Sequence, residues 1–377
     1  MSMWPIGLQR DGSPALSKML MFFGQIPLHN IGLAPWISTR PMPFCQSVNR
    51  ISTTSGLDVD PFNMKLDCET VEDIVAMPPN RLSFVDQAYK RAEELRIETG
   101  NLPVFLMYSG GIDSTSTLVA MMSTWGKDLD RLHICLSYNS IEEFPEMWPL
   151  INKRFKGRII HSMIKTERLA ERGYVVTGEL GDQVFGGEVV YNIAEVFGDE
   201  GIHRSWDNGA IRDVYQNVFS FYIKDLDQFI EKYHPFIDAC PFQIKSCFDW
   251  AWWFNYTNKW QLVRYWLSGN RWDNLKQNWP RVKHFYDTPE WQRWSIDHHE
   301  EKILKTIGSY KDPAKKFIID YTGLDMYNNK KKVASLGNLL KYYDWAPAID
   351  ENLNYMDMDQ ALGCVNRKQQ MAAIHSS

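Results

Sequence analysis

The sequence predicts an α/β protein, a parallel twisted sheet with helices on both faces, followed by a Trp-rich helical region. Two observations carry this. Between about residues 100 and 180, short apolar runs alternate with helical patterns, and strands alternating with helices form parallel β-α-β units. From about residue 190 onward the pattern is helical, and most of the 15 Trp fall between Trp206 and Trp294.

Taken in order, residues 1–65 read as an irregular N-terminal arm, rich in Pro and Gly and poor in periodicity. Residues 66–190 form the α/β domain. Its first part, 67–99, is helical in pattern, with Asp67 or Thr70 as cap and a break at Pro78-Pro79. Buried strands are expected at Val104–Met107, Leu132–Ser137, Ile159–Ile164 and Tyr174–Thr177, with helices at Ser114–Trp125 and Thr166–Arg172. Residues 191–377 are expected to be mainly helical and to complete the site, with the clearest helices at Phe219–Tyr233, Phe248–Leu267 and Trp291–Ile307. The stretch Asp249–Trp266, with five Trp, reads as a helical core packed with large rings.

Composition narrows the function classes. A chain of 377 residues has room for two or three domains. Its 44% hydrophobic and 23% charged residues exclude a disordered chain. A formal charge of −5 and an isoelectric point near 6.0 argue against a surface coated for nucleic acid or anionic lipid. No apolar run approaches the roughly 20 residues of a membrane span, and Met1–Arg10 lacks a cationic stretch followed by an apolar core. The six Cys are scattered, with no C-x-x-C pair, as expected of reduced thiols in a cytoplasmic protein.

Two motifs carry chemistry. The run VFLMYSGGIDSTSTLVAMM (104–122) leads from a strand through Ser109-Gly110-Gly111-Ile112-Asp113-Ser114 into an amphipathic helix. Paired glycines let the backbone turn sharply and face its N–H groups to an anion. The helix start, capped by Ser114 or Thr115, adds unpaired N–H groups and a positive dipole end. Asp113 would repel phosphate unless a cation lay between them, which points to Mg²⁺. The second motif, Thr177-Gly178-Glu179-Leu180-Gly181-Asp182-Gln183-Val184-Phe185-Gly186-Gly187, follows the last strand. That end of a parallel sheet is where ligands bind, and a second carboxylate suits a Mg²⁺–triphosphate.

SGGIDS resembles the PP-loop of the ATP pyrophosphatase superfamily, whose fold is the adenine nucleotide alpha hydrolase type. It lacks the Lys and spacer of a Walker A loop. GELGDQVFGG resembles the second signature of the asparagine synthetase family, G-E-G-S-D-E-[LV]-F-G-G-Y. The resemblance implies that Ser109, Gly110, Gly111, Asp113 and Ser114 bind pyrophosphate and Mg²⁺. It further implies that Asp182 is the second metal ligand, that Thr177 and Gly178 lie near adenosine, and that Glu179 assists the attacking amine. Leu180-Gly181, Gln183 and Glu188 depart from the family pattern.

Farther along, His284-Phe285-Tyr286-Asp287 resembles the family's P-F-L-D segment, and Lys315–Ile319 its K-x-[IL]-L-R helix start with Asp320 in place of Arg. Asn329–Ser335 resembles its R-x-K-x-x-F segment, in which a Lys stabilises departing pyrophosphate; Lys331 gives the best register and Lys330 the next. A solvated basic turn is the plainer reading of that cluster. Ser2 stands where the family's glutaminase carries Cys, and about 100 residues are too few for that domain. The resemblance therefore implies an AMP-forming carbon–nitrogen ligase using ATP and Mg²⁺. Its partners would be a small carboxylate and ammonia or an amine, with a separate ammonia-supplying protein as one source. Two rivals remain: another PP-loop enzyme acting on a nucleoside or tRNA, and a non-catalytic nucleotide-binding protein.

Overall fold

The computed structural model describes residues 50–51, 68–161, 166–187, 189–219, 237–264, 277–325 and 327. They divide into two compact units, an α/β unit (84–178, 277–285 and described residues from 314 onward) and a helical unit (described residues up to 83, 179–264 and 286–313).

The α/β unit is built on a five-stranded, all-parallel sheet. Its strands are β1 (Val104–Met107), β2 (Leu132–Leu136), β3 (Ile159–His161), β4 (Tyr174–Thr177) and β5 (Val282–His284), in the order β3-β2-β1-β4-β5. β1 is flanked in step by β2 and β4, with Val104 opposite both Leu132 and Tyr174. Val104, Phe105 and Leu106 point alternately to opposite faces, yet all are buried, so both faces of the sheet are covered. The chain runs outward from β1 to β3, then returns to place β4 on the other side of β1. That reversal makes the carboxyl ends of β1 and β4 a topological switch point.

β1 and β4 have the bounds the apolar runs predict, and β2 ends one residue early. β3 ends at His161, and residues 162–165 lie outside those described. β5 is a strand within the region read as mainly helical. Its three residues, Val-Lys-His, carry no strand signal of their own and are held by pairing Val282 with Val175 and His284 with Thr177. The helix Ile112–Thr124 begins two residues before its expected start, because Gly111 is its N-cap.

In the helical unit, Thr70 caps Val71–Ala76 through a reciprocal box with Asp73. The helix Cys247–Asn258 starts from a second such box, Ser246 with Asp249, and buries every residue except Asp249. Its rings form a continuous cluster: Trp252 stacks on Tyr256 at 5.1 Å, and Tyr256 meets Trp260 edge-on at 5.6 Å. Burial of Trp requires a partner for the indole N–H. Trp252 Nε1 donates to Val184 O and Ser295 Oγ, both at 3.1 Å, and Trp294 Nε1 donates to Leu82 O. The buried Arg50 guanidinium lies over Tyr256 and Trp260, donates to Glu69 O at 3.0 Å and also bonds Gln292 Oε1. The helix Asn208–Phe219 ends where the expected Phe219–Tyr233 helix begins, and 220–236 lie outside the described residues.

Candidate functional site: a phosphate loop and an acidic turn

The loop after β1 is organised by its own serines. Ser114 Oγ accepts from the Ser109 amide at 3.2 Å and donates to Gly111 O at 3.1 Å, while the Ser109 hydroxyl lies 3.0 Å from it. Gly110 has φ +79°, and a side chain there would press on the Ser140 carbonyl and on Glu143 Cβ. Glycine is thus required twice over, for conformation and for space. Gly111 as N-cap brings no side-chain cap, so neither Ser114 nor Thr115 caps the first-turn amides. Asp113 sits half-buried in that first turn, where the helix dipole favours a carboxylate.

The end of β4 meets this turn directly. A Cβ on Gly178 would lie 2.7 Å from the Ser114 amide nitrogen, so only glycine permits the approach. The structure therefore brings together Ser109, Gly110, Gly111, Asp113, Ser114, Thr177 and Gly178. The Thr177 hydroxyl lies 2.7 Å from His284 Nδ1, and the Thr177 carbonyl accepts from the Phe285 amide at 2.8 Å. His284 is buried and secures the side chain of Thr177.

Thr115 and Tyr327 complete the floor of the loop. Tyr327 is buried, its ring 4.6 Å from that of Phe144. Its hydroxyl donates to Gly110 O at 2.6 Å and lies 2.8 Å from Thr115 Oγ1. Burial pushes the Tyr327 hydroxyl well above its ordinary pKa, so it stays a proton donor.

The acidic turn belongs to the helical unit. Glu179 is half-buried, and Leu180 takes φ +72° as N-cap of the short helix Gly181–Phe185. The Asp182 side chain is 48% exposed, and its Oδ1 accepts from Lys311 Nζ at 2.7 Å. Lys311 itself is buried and has φ +60°. Leu180 and Lys311 are the non-glycine residues with positive φ among those described. One precedes Asp182 by two residues and the other bonds its carboxylate. Gln183 is buried and donates to Asn255 Oδ1 at 3.2 Å, while Asn255 donates to the Asp182 carbonyl at 2.7 Å. An acid at 183 would be a buried charge with no proton to donate to Asn255.

The remaining predicted positions serve the scaffold or fall outside it. Asp287 accepts from Trp260 Nε1 at 2.9 Å and from Arg264 Nε at 2.5 Å, both on the helix Trp260–Arg264. Lys315 is buried in the helix Asp312–Thr322. Lys330, Lys331 and Lys332 lie outside the described residues. His299 donates from Nε2 to Asp249 Oδ1 at 2.8 Å and accepts at Nδ1 from Lys302 Nζ at 3.2 Å. The Lys302 ammonium lies 3.7 Å above the Trp252 ring. Tyr327, His284 and Lys311 carry no local sequence signal for their roles, because each acts through contacts distant in sequence.

Among the described residues no group of three or more His, Cys, Asp or Glu could hold a metal ion, and no helix is long and apolar enough to cross a membrane. The chain matches no protein-family model, no curated protein and no solved structure.

Proposed function

We propose that this chain is an ATP-dependent, amide-forming ligase of the asparagine-synthetase type, built on a PP-loop α/β domain. One observation carries the reading. The SGGIDS loop and the T-G step of the second motif leave adjacent strands at the switch point, with Gly178 packed on the Ser114 amide. That is where an open α/β sheet binds a nucleotide, and the uncapped helix start there suits its phosphates.

Asp113 and Asp182 are each hard carboxylates of the kind Mg²⁺ prefers, and Asp182 is half-exposed. Bound magnesium would supply charge neutralisation of the triphosphate. The loop amides would hold the phosphates in line while a substrate carboxylate oxygen attacks the α-phosphorus. The bond from that phosphorus to the bridging oxygen breaks, and pyrophosphate leaves. An amine nitrogen then attacks the acyl carbon, AMP departs, and Glu179 takes the proton. Lys331 would stabilise the leaving pyrophosphate.

The test is pyrophosphate release from Mg²⁺-ATP across a panel of small carboxylates, with ammonia or amines supplied. Release that requires both a carboxylate and an amine, with AMP as co-product, is expected. Release with a nucleoside or tRNA alone would favour another PP-loop enzyme. Nucleotide binding without turnover on any acceptor would favour a non-catalytic binder.

A further inference from the structure

We infer that Tyr327 is a positioning residue of the phosphate loop: its hydroxyl holds the Gly110 carbonyl inward and thereby aims the Gly111 amide at the bound anion. The inference rests on the nucleotide reading above for the identity of the anion, and on geometry alone for the positioning.

The peptide bonds of the described chain are trans. In a trans peptide the carbonyl of one residue and the N–H of the next point in opposite directions. The Gly110 carbonyl is directed at the buried Tyr327 hydroxyl, 2.6 Å away. The Gly111 N–H must then point the other way, toward the exposed side chain of Ser109. Its bond there, to Ser109 Oγ, is long at 3.4 Å, and leaves the N–H able to serve a stronger acceptor.

Within the loop this peptide plane is held by the long Ser109 bond, and glycines on both sides allow it to flip at little cost. The Tyr327 hydroxyl supplies the stronger constraint. Its proton is committed to Gly110 O, and the Thr115 hydroxyl lies within hydrogen-bond reach at 2.8 Å and bonds Tyr108 at 3.3 Å. Thr115 lies in the first turn of the helix Ile112–Thr124. The carbonyl, the tyrosine and the helix start therefore form one connected unit. Phe144 packs on the Tyr327 ring and keeps it in place independently of the hydroxyl.

Tyr327→Phe removes the proton and keeps the ring against Phe144. Two readouts follow on the full chain. Hydrogen exchange of the amides in 109–112, without ligand, is expected to rise roughly tenfold, and the affinity for inorganic pyrophosphate with Mg²⁺ to fall by about the same factor, the scale of one lost buried hydrogen bond. The thermal midpoint should move little, and Tyr321→Phe, which alters an exposed tyrosine of the helix Asp312–Thr322, should change neither readout. Unchanged loop exchange with unchanged pyrophosphate affinity in Tyr327→Phe would overturn the inference. Faster loop exchange in a chain whose wild type does not bind pyrophosphate would uphold the positioning and defeat the nucleotide reading instead.

Discussion

The two units reach the same kind of backbone conformation by opposite means. In the phosphate loop of the α/β unit, the positive φ falls on Gly110, where glycine costs little and leaves room for the chain beneath. At the acidic turn of the helical unit, positive φ falls on Leu180 and on Lys311, side chains for which that region is unfavourable by about 1–2 kcal/mol each. Such strain persists only where surrounding contacts over-determine it. Leu180 and Lys311 are buried, and the Lys311 ammonium is bonded to Asp182. The positive φ of the first loop is allowed by the residue that bears it, whereas that of the acidic turn is imposed by packing.

The acids should carry the heaviest losses of activity. Asp113→Ala and Asp182→Ala should each abolish pyrophosphate release; Asp113→Ala should leave the thermal midpoint close to wild type, whereas Asp182→Ala should also lower it, because it removes the carboxylate that the buried Lys311 ammonium bonds. Wild-type turnover in either variant would sink the metal assignment. Lys331→Ala should lower kcat roughly a hundred- to thousand-fold with little change in ATP affinity, since a contact to the leaving group strengthens in the transition state. Loss of activity in Lys330→Ala with a normal Lys331→Ala would move the register by one. Normal turnover in both would leave the cluster a solvated basic turn.

What was legible in the sequence follows from range. β1 and β4 are short apolar runs buried on both faces, and the Gly-Gly turn into a helix is readable within six residues, so local pattern suffices for each. β5 was missed because Val-Lys-His has no pattern; only its pairing with β4 makes it a strand. Tyr327 was missed because 217 residues separate it from Gly110. Gln183 read as a departure from a family pattern, and its reason lies in Asn255, 72 residues on. The serine and glycine content of the loop was readable, but the N-cap was not, since Gly111 displaces the two hydroxyl residues that sequence preference favours.

A smaller effect distinguishes the two interiors. Where the α/β unit buries aliphatic strands, the helical unit buries an ionisable chain, Asp249–His299–Lys302, among Phe242, Phe248 and Trp252. Burial, with Lys302 beside it, pushes the His299 imidazole down to about 4. Burial alone would raise the Asp249 carboxyl, but the His299 bond and the Lys245 and Ser246 amides hold it at about 2. An unfolded His takes up its proton near pH 6.5. Between about pH 6.5 and 4 the unfolded chain therefore binds a proton that the folded chain refuses, and stability falls as pH falls through that window, by about 3 kcal/mol at most. Urea midpoints measured from pH 7.5 to 4.5 should show the loss in wild type. His299→Gln keeps a donor for Asp249 and cannot be protonated, so its midpoint should be lower at pH 7.5 and fall less steeply than wild type across the window, the slope that remains coming from His133, whose imidazole burial also holds down to about 4. A variant as steep as wild type would remove His299 as the cause.

The smallest effect sharpens the comparison itself. Lys311→Ala and Lys311→Gly both remove the ammonium from Asp182, so their stabilities share that loss. They differ in what the backbone must do at φ +60°. Alanine keeps a Cβ in the left-handed region, while glycine has none, so Lys311→Gly should be the more stable by about 1 kcal/mol despite the greater freedom of glycine in the unfolded chain. Gly110→Ala in the α/β unit should go the other way and lose stability relative to wild type. It adds a Cβ at φ +79° and sets it 2.9 Å from Glu143 Cβ. If Lys311→Ala proves as stable as Lys311→Gly, the backbone there relaxes once the ammonium is gone, and the strain at Lys311 is a consequence of its bond to Asp182. If glycine wins by the expected margin, the conformation is imposed by the fold around residue 311, and the lysine is held against Asp182 at a standing cost.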